Sequence, residues 1–260
     1  MDKYTLITGA SSGLGFELAR LFGKDNNNLL LVSSNESNLK HAKEELEKEV
    51  SVDIKVLAAD LTNPLNFKKV QEFTGKNNIF VSNLVNCAGF GDRTDFVDMD
   101  INKQLKMVEL NCNAPMYLMH EYVKGMIEAK EGHILNISSI AAFVPGPYMS
   151  TYHATKAFLT NLSESITREL KGTNVKVTTI NPGPFESGFV KKAGNDYTFS
   201  KIKPISAQKV AEISYKCMKK GKSFKVIGFK NNLMMLLTRF VPRKLVANTS
   251  ANQIKNNAQQ

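Results

Sequence analysis

Short, nearly continuous apolar runs rich in β-branched residues alternate along this chain with longer segments whose apolar positions recur every three or four residues. The apolar runs fall at 4–8, 28–33, 52–58, 84–86, 132–138, 174–181 and 224–228. Each reads as a strand covered on both faces, since a one-sided strand would alternate apolar and polar residues. The periodic segments at 13–24, 36–50, 63–74, 101–129, 152–171 and 207–219 predict helices. Strand and helix alternating at this spacing imply right-handed βαβ units, hence a single-domain α/β fold with a doubly wound parallel sheet of about seven strands and helices on both faces. The polar run from Asn26 to Asn28 reads as the turn after the first helix.

The end of the chain breaks this rhythm. The segment from Leu233 to Val241 is mostly apolar and is followed by Pro242 and an Asn-rich tail. Proline is costly inside a helix but suits the first turn of a new one. Two short helices are therefore expected, with a break between Val241 and Pro242 and fraying past Asn256. The chain divides into a domain at 1–229 and a basic, amphipathic extension at 230–260.

Composition adds exclusions. A chain of 260 residues can bury one continuous core. Cys87, Cys112 and Cys217 lie far apart, without a CxxC pair or a histidine at ligand spacing. A reducing compartment is expected, with neither a disulfide framework nor a metal site. No signal-like apolar region opens the chain, and no run approaches the ~18 apolar residues of a membrane span, so a cytoplasmic location is expected. Charge is uneven: from Lys201 onward 13 Lys and Arg face Glu212 alone, a net of +12, whereas the first 200 residues sum to −2. That asymmetry fits a surface facing phosphates, anionic lipid or an acidic carrier, and fits equally a solvated, solubilising face. No recognition helix with interleaved aromatics accompanies it, so nucleic acid is not an expected partner.

Three constellations carry chemistry. Thr8-Gly-Ala-Ser-Ser-Gly-Leu-Gly15 lies between the first strand and the first helix. There Gly9, Gly13 and Gly15 let the backbone turn tightly and approach a pyrophosphate seated on the helix N-terminus. Tyr152 and Lys156 are four apart on a helix, so a phenol and an ammonium share one face. A cation so placed is expected to lower the tyrosine pKa toward neutrality and fit it for proton transfer. Ser138 and Ser139 end the fifth strand, 14 and 13 residues before Tyr152. Ligands of open α/β sheets bind beyond such strand ends, although serines there also serve as turns and caps.

Together these residues resemble the short-chain dehydrogenase/reductase family, a Rossmann fold, over about residues 3–229. The glycine turn, with Ser11, Ser12 and Leu14, is similar to the family's nucleotide turn. Asp60 and Leu61 resemble the pair that contacts adenine. Asn86-Cys-Ala-Gly89 is similar to an Asn-Asn-Ala-Gly motif, with Cys87 replacing the second Asn; Asn86, Ala88 and Gly89 are the positions it carries over. Asn181-Pro-Gly183, with Phe185 and Ser187, looks like the segment that holds the nicotinamide carboxamide. The resemblance implies an NAD(P)-dependent oxidoreductase acting on CH–OH and C=O groups. In it Tyr152 moves the proton, Ser139 rather than Ser138 helps hold the substrate oxygen, Lys156 binds the ribose, and Asn111 holds a water.

The tip of the second strand reads Val32-Ser-Ser-Asn-Glu36, without the acid that hydrogen-bonds a ribose 2′-hydroxyl and repels a 2′-phosphate. Relatives that use NADP often have Arg where Ser34 stands, and that too is missing. Ser33, Ser34 and Asn35 can still donate to a phosphate, so NADP(H) is favoured over NAD(H). Phe90, Phe143, Met149 and Phe189 are expected to line a pocket for a hydrophobic ketone or 3-oxoacyl substrate. The tail resembles, at low specificity, that of steroid and long-chain 3-oxoacyl reductases. It is expected to pack over the pocket or a subunit interface; the alternative is weak contact with a membrane surface through the apolar stretch and Lys230, Arg239, Arg243 and Lys244. By resemblance the chain forms a homodimer or homotetramer. The rival reading is a non-catalytic dinucleotide-binding regulatory protein on the same fold, which would ordinarily have lost the Tyr or the Lys.

Overall fold

The structure, a computed structural model, describes residues 1–186 and 204–256. Seven parallel strands form one sheet in the order β3-β2-β1-β4-β5-β6-β9. They are β1 (Asp2–Thr8), β2 (Asn28–Ser33), β3 (Ile54–Ala58), β4 (Ile79–Asn86), β5 (Gly132–Ile137), β6 (Val175–Asn181) and β9 (Phe224–Val226). A separate parallel pair joins β7 (Phe185–Glu186) to β8 (Ile205–Ser206). Strand order reverses between β1 and β4, and a crevice opens at the carboxyl ends there.

Side chains of each strand alternate between two cores. Tyr4 and Leu6 of β1, Leu30 and Val32 of β2 and Ile134 of β5 pack with α3 (Leu65–Lys76), α5 (Ala114–Glu128) and α6 (Ser150–Glu169). Ile7, Leu29, Leu31 and Leu135 pack on the other face with α1 (Gly13–Lys24), α2 (Glu36–Glu47) and α7 (Ala207–Lys219). The leucines of this set are fully buried, each contributing roughly 1.5–3 kcal/mol from leaving water. Helices on both faces explain why the strands read as unbroken apolar runs.

Most end differences from the expected bounds are of one to three residues; two larger ones have physical reasons. β4 starts at Ile79 rather than residue 84, because the polar residues ahead of its apolar core find partners. The Ser82 hydroxyl donates to Tyr4 O at 3.3 Å, and Asn83 Nδ2 donates to Thr5 Oγ1 at 3.1 Å. The helix expected at 101–129 is broken into α4 (Ile101–Val108) and α5 by a π-helical turn at Glu109–Asn113. Such an insertion shifts the face a side chain presents, and it carries Asn111.

After β9 come α8 (Phe229–Leu237) and α9 (Arg243–Asn256), with the expected break between them. Pro242 O accepts from Leu245 N at 2.9 Å, which places the proline in the opening turn of α9.

Candidate functional site

The glycine turn forms one end of a cavity of about 540 Å³ at the carboxyl ends of the strands. Thr8 anchors it: its hydroxyl accepts from Cys87 N and Ala88 N, both at 3.1 Å, stitching the ends of β1 and β4 together. Gly9 and Gly13 have φ of +69° and +55°, a backbone region that side chains disfavour. At Gly15 the reason for glycine is steric, since a Cβ there would lie 2.3 Å from Gly9 O. Ser12 precedes α1 without capping it by its side chain, which leaves first-turn N–H groups for an anion. A bare backbone cradle and an uncapped helix start fit the pyrophosphate of a dinucleotide.

Ser11, Ser12, Leu14, Ser33, Ser34, Asp60, Leu61, Ala88 and Gly89 also line this cavity. Ser11 and Ser33 share a hydrogen bond of 3.0 Å between their hydroxyls. Asn35 does not line it. Its Oδ1 accepts from Asn38 N at 2.9 Å and from the Ser37 hydroxyl at 2.7 Å, capping α2. Asn86 stands behind the wall as well, with Nδ2 donating to Asn136 Oδ1 at 2.8 Å between neighbouring strands.

The far end of the same cavity holds Ser139, Tyr152 and Lys156. Ser138 and Ser139 diverge. The Ser138 hydroxyl is buried, donating to Lys156 O at 3.0 Å and lying 2.7 Å from Thr160 Oγ1. Ser139 caps the short 3-10 turn Ile140–Phe143, accepting from Ala141 N at 3.1 Å, and also hydrogen-bonds Tyr152. Lys156 is buried, with Nζ donating to Ile137 O at 3.0 Å and standing 5.8 Å from the centre of the Tyr152 ring. Gly89 leaves room for this: a Cβ there would lie 3.0 Å from Asn111 Oδ1 and 3.5 Å from Lys156 Nζ.

The electrostatics correct one expectation. Burial pushes the Tyr152 phenol up to about 12, with only the Ser139 hydrogen bond acting against it. Burial also pushes the Lys156 ammonium down to about 8. The expected lowering by the lysine is absent: burial dominates the tyrosine, and the Lys156 ammonium is itself disfavoured by burial and donates to a backbone carbonyl. At neutral pH the phenol keeps its proton.

Asn111 lies behind the wall rather than on it. Its Oδ1 accepts from Phe90 N at 3.1 Å; Nδ2 donates to Phe90 O at 2.9 Å and to Thr155 Oγ1 at 3.0 Å. Both amide protons are spent, so the carboxamide fixes the Phe90 loop against α6.

Pro182, Gly183, Phe185, Phe90 and Met149 line the cavity, whereas Phe143 turns away and packs edge-on to Phe224 with ring centroids 6.1 Å apart. Ser187 and Phe189 lie outside the described residues. His153, Met234, Ser250 and Ile254 join the wall although sequence reasoning passed over them. Helical spacing from Met149, four residues earlier, could have found His153. Its Nδ1 lies 2.9 Å from Val144 O, and burial lowers its pKa, keeping the ring neutral. Through these three tail residues α8 and α9 contribute to the cavity wall, with Arg93 donating to Ile254 O at 2.6 Å.

A model of the family described as short chain dehydrogenase matches residues 3–198. An uncharacterized oxidoreductase of Staphylococcus epidermidis is 28% identical over 211 residues, covering 81% of this chain and 88% of that protein. A short-chain dehydrogenase from Sphingobium yanoikuyae, solved in complex with NADPH, superposes with a TM-score of 0.82 at 24% identity, covering 93% of this chain and 96% of that one. A bulky-bulky ketone specific alcohol dehydrogenase from Comamonas testosteroni gives a TM-score of 0.79 at 24% identity and 92% coverage of each chain. The two solved structures share the fold. With the family match spanning most of the sheet and the site, the chain belongs to the short chain dehydrogenase family and is an NAD(P)-dependent oxidoreductase.

Proposed function

We propose that the protein interconverts a carbonyl and an alcohol on a hydrophobic ketone or 3-oxoacyl substrate, with Tyr152 as proton donor and acceptor. The observation that carries this reading is the single cavity that holds the glycine turn at one end and Ser139, Tyr152 and Lys156 at the other. The bound nicotinamide supplies or takes up the hydride. Ser139 and Tyr152 donate hydrogen bonds to the substrate oxygen, where negative charge develops as the carbonyl is reduced. Tyr152, protonated at neutral pH, then gives up its proton to that oxygen. Lys156 holds the cofactor ribose and stands ready to stabilise the phenolate, while Asn111 positions the Phe90 loop and α6 around them. Phe90, Met149, Phe185, Met234 and Ile254 give the cavity the apolar wall that a hydrophobic substrate requires.

For the cofactor we favour NADP(H). Ser33 and Ser34 offer hydroxyls at the tip of β2, where neither residue is acidic, so a 2′-phosphate meets donors there. A homodimer or homotetramer is the favoured assembly. Leu105 and Met116 of the long helix pair and Phe158 of α6 are exposed apolar residues that a second copy would cover.

The test is a screen of ketones, 3-oxoacyl thioesters and aldehydes followed by absorbance of the reduced cofactor, run in parallel with NADPH and NADH. Turnover of bulky apolar carbonyls with a lower KM for NADPH is expected. Absence of turnover on every class, with cofactor binding intact, would favour a non-catalytic dinucleotide-binding role.

A further inference from the structure

Helix α8 keeps most of its large apolar side chains outside the core. Its two asparagines bond the chain ahead of the helix: Asn231 Nδ2 donates to Ile227 O at 2.7 Å, and Asn232 Nδ2 donates to Val226 O at 3.0 Å and Gly228 O at 2.7 Å. Asn231 also fills the space beside Gly183, where a Cβ would come within 2.6 Å of it. The outer side carries Phe229, Leu233, Leu236 and Leu237, a set at i, i+4, i+7 and i+8 that forms one face. These are 84%, 46%, 50% and 52% exposed, and Phe240 and Leu245 extend the ridge past the helix end at 79% and 55%. No residue of α8 is buried. A helix on the surface of a water-soluble domain turns its apolar stripe inward, so a ridge of this kind calls for a cover.

Charge identifies the cover. Lys230, Arg239, Arg243 and Lys244 are exposed and interleave with the ridge. No acidic residue follows Glu212 anywhere in the chain. A second copy docked symmetrically by this face would set these cations against one another, because a two-fold interface pairs each patch with itself. An anionic lipid surface accepts both features at once, apolar side chains below the headgroups and cations among them. Among the described residues no helix is long and apolar enough to cross a membrane, so the contact is interfacial.

We propose that the outer face of α8, continued by Phe240 and Leu245, docks on an anionic phospholipid bilayer. Met234, Ser250 and Ile254, on the same two helices, line the cavity, so docking sets the substrate cavity beside the lipid. Delivery of an apolar substrate by that route rests on the function proposed above; docking does not, and it is tested without catalysis.

The experiment is sedimentation of the full chain with vesicles of phosphatidylcholine alone or with a quarter phosphatidylglycerol. Binding is expected only with phosphatidylglycerol, and it should weaken as salt rises. Each of R239Q, R243Q and K244Q should lower the partition coefficient about fivefold, the equivalent of about 1 kcal/mol per cation near the surface. The triple variant F229S/L236S/F240S should lower it at least tenfold by removing the inserted side chains. Urea unfolding of each variant checks that the fold survives, and the exposed positions make that the expected result. Failure to sediment with phosphatidylglycerol overturns the proposal, as does binding indifferent to these substitutions. A light-scattering mass that falls by half in the triple variant would also overturn it, by assigning the ridge to a second copy of the chain.

Discussion

Substituting Lys156 by methionine should make the protein more stable at pH 7 while disabling it. The lysine is buried, and desolvation takes its ammonium from an ordinary value of 10.5 down to about 8. At pH 7 it is protonated in both the folded and the unfolded chain, and holding that charge in the folded state costs about 3 kcal/mol. Methionine has similar length and no charge to desolvate. It forfeits the 3.0 Å hydrogen bond to Ile137 O, worth about 1 kcal/mol. The net expectation is a gain of about 2 kcal/mol, or roughly 4–8 °C in Tm for a chain of this size. The gain depends on pH in a defined direction. Between about 8 and 10.5 the unfolded lysine binds a proton that the folded one does not, so wild-type stability rises with pH across that window. The advantage of Lys156→Met should therefore shrink above pH 8 and vanish or reverse slightly by pH 10.5. Urea unfolding of both proteins at pH 7 and pH 10.5, without added dinucleotide, measures this directly. A loss of stability at pH 7, or a gain of equal size at both values, would refute the reasoning, because neither follows from burial of a charge.

Two further outcomes follow from the glycine turn and the tip of β2. Gly15→Ala puts a Cβ 2.3 Å from Gly9 O, a backbone atom that cannot give way cheaply. A destabilisation of about 1–3 kcal/mol is expected, with at least tenfold weaker dinucleotide binding by fluorescence titration; unchanged affinity would show that the turn does not hold the cofactor. Ser34→Asp places a carboxylate where a 2′-phosphate is proposed to lie and should shift the NADPH-to-NADH ratio of kcat/KM toward NADH by roughly tenfold or more. An unaltered ratio would place the cofactor's discriminating contact elsewhere.

Long-range order was readable from the chain because it rests on covered strands and periodic helices. Unbroken apolar runs such as Leu29 to Val32 imply helices on both faces, and α1 and α7 lie within their expected bounds. The glycines, Tyr152 and Lys156 were legible because their chemistry depends on spacing within one turn or one helix. Most of what escaped depended on distant partners. Phe143 looks like a pocket residue until Phe224 arrives from the far edge of the sheet, whereas Asn35 is a local case, a helix cap three residues ahead of Asn38 whose N–H it accepts from. The π-turn around Asn111 gives no periodic signal, since a single inserted residue leaves the surrounding apolar spacing almost unchanged. The Tyr152 pKa was misjudged for a related reason: proximity of a cation is visible in sequence, whereas burial of both groups is not. Ser250 and Ile254 reach the cavity only because α9 folds back over it.

Tyr152 is the proposed proton donor, and Tyr152→Phe tests that role most directly. The substitution removes one hydroxyl and keeps the ring, so packing beside Lys156 and the dinucleotide site is preserved. Titration of NADPH fluorescence should give a Kd within about twofold of wild type, whereas kcat for carbonyl reduction should fall by at least a thousandfold, as expected when a positioned acid and oxyanion donor are lost together. A variant that binds NADPH normally and keeps more than a tenth of wild-type kcat, about 1.4 kcal/mol or less in the barrier, would contradict the assignment.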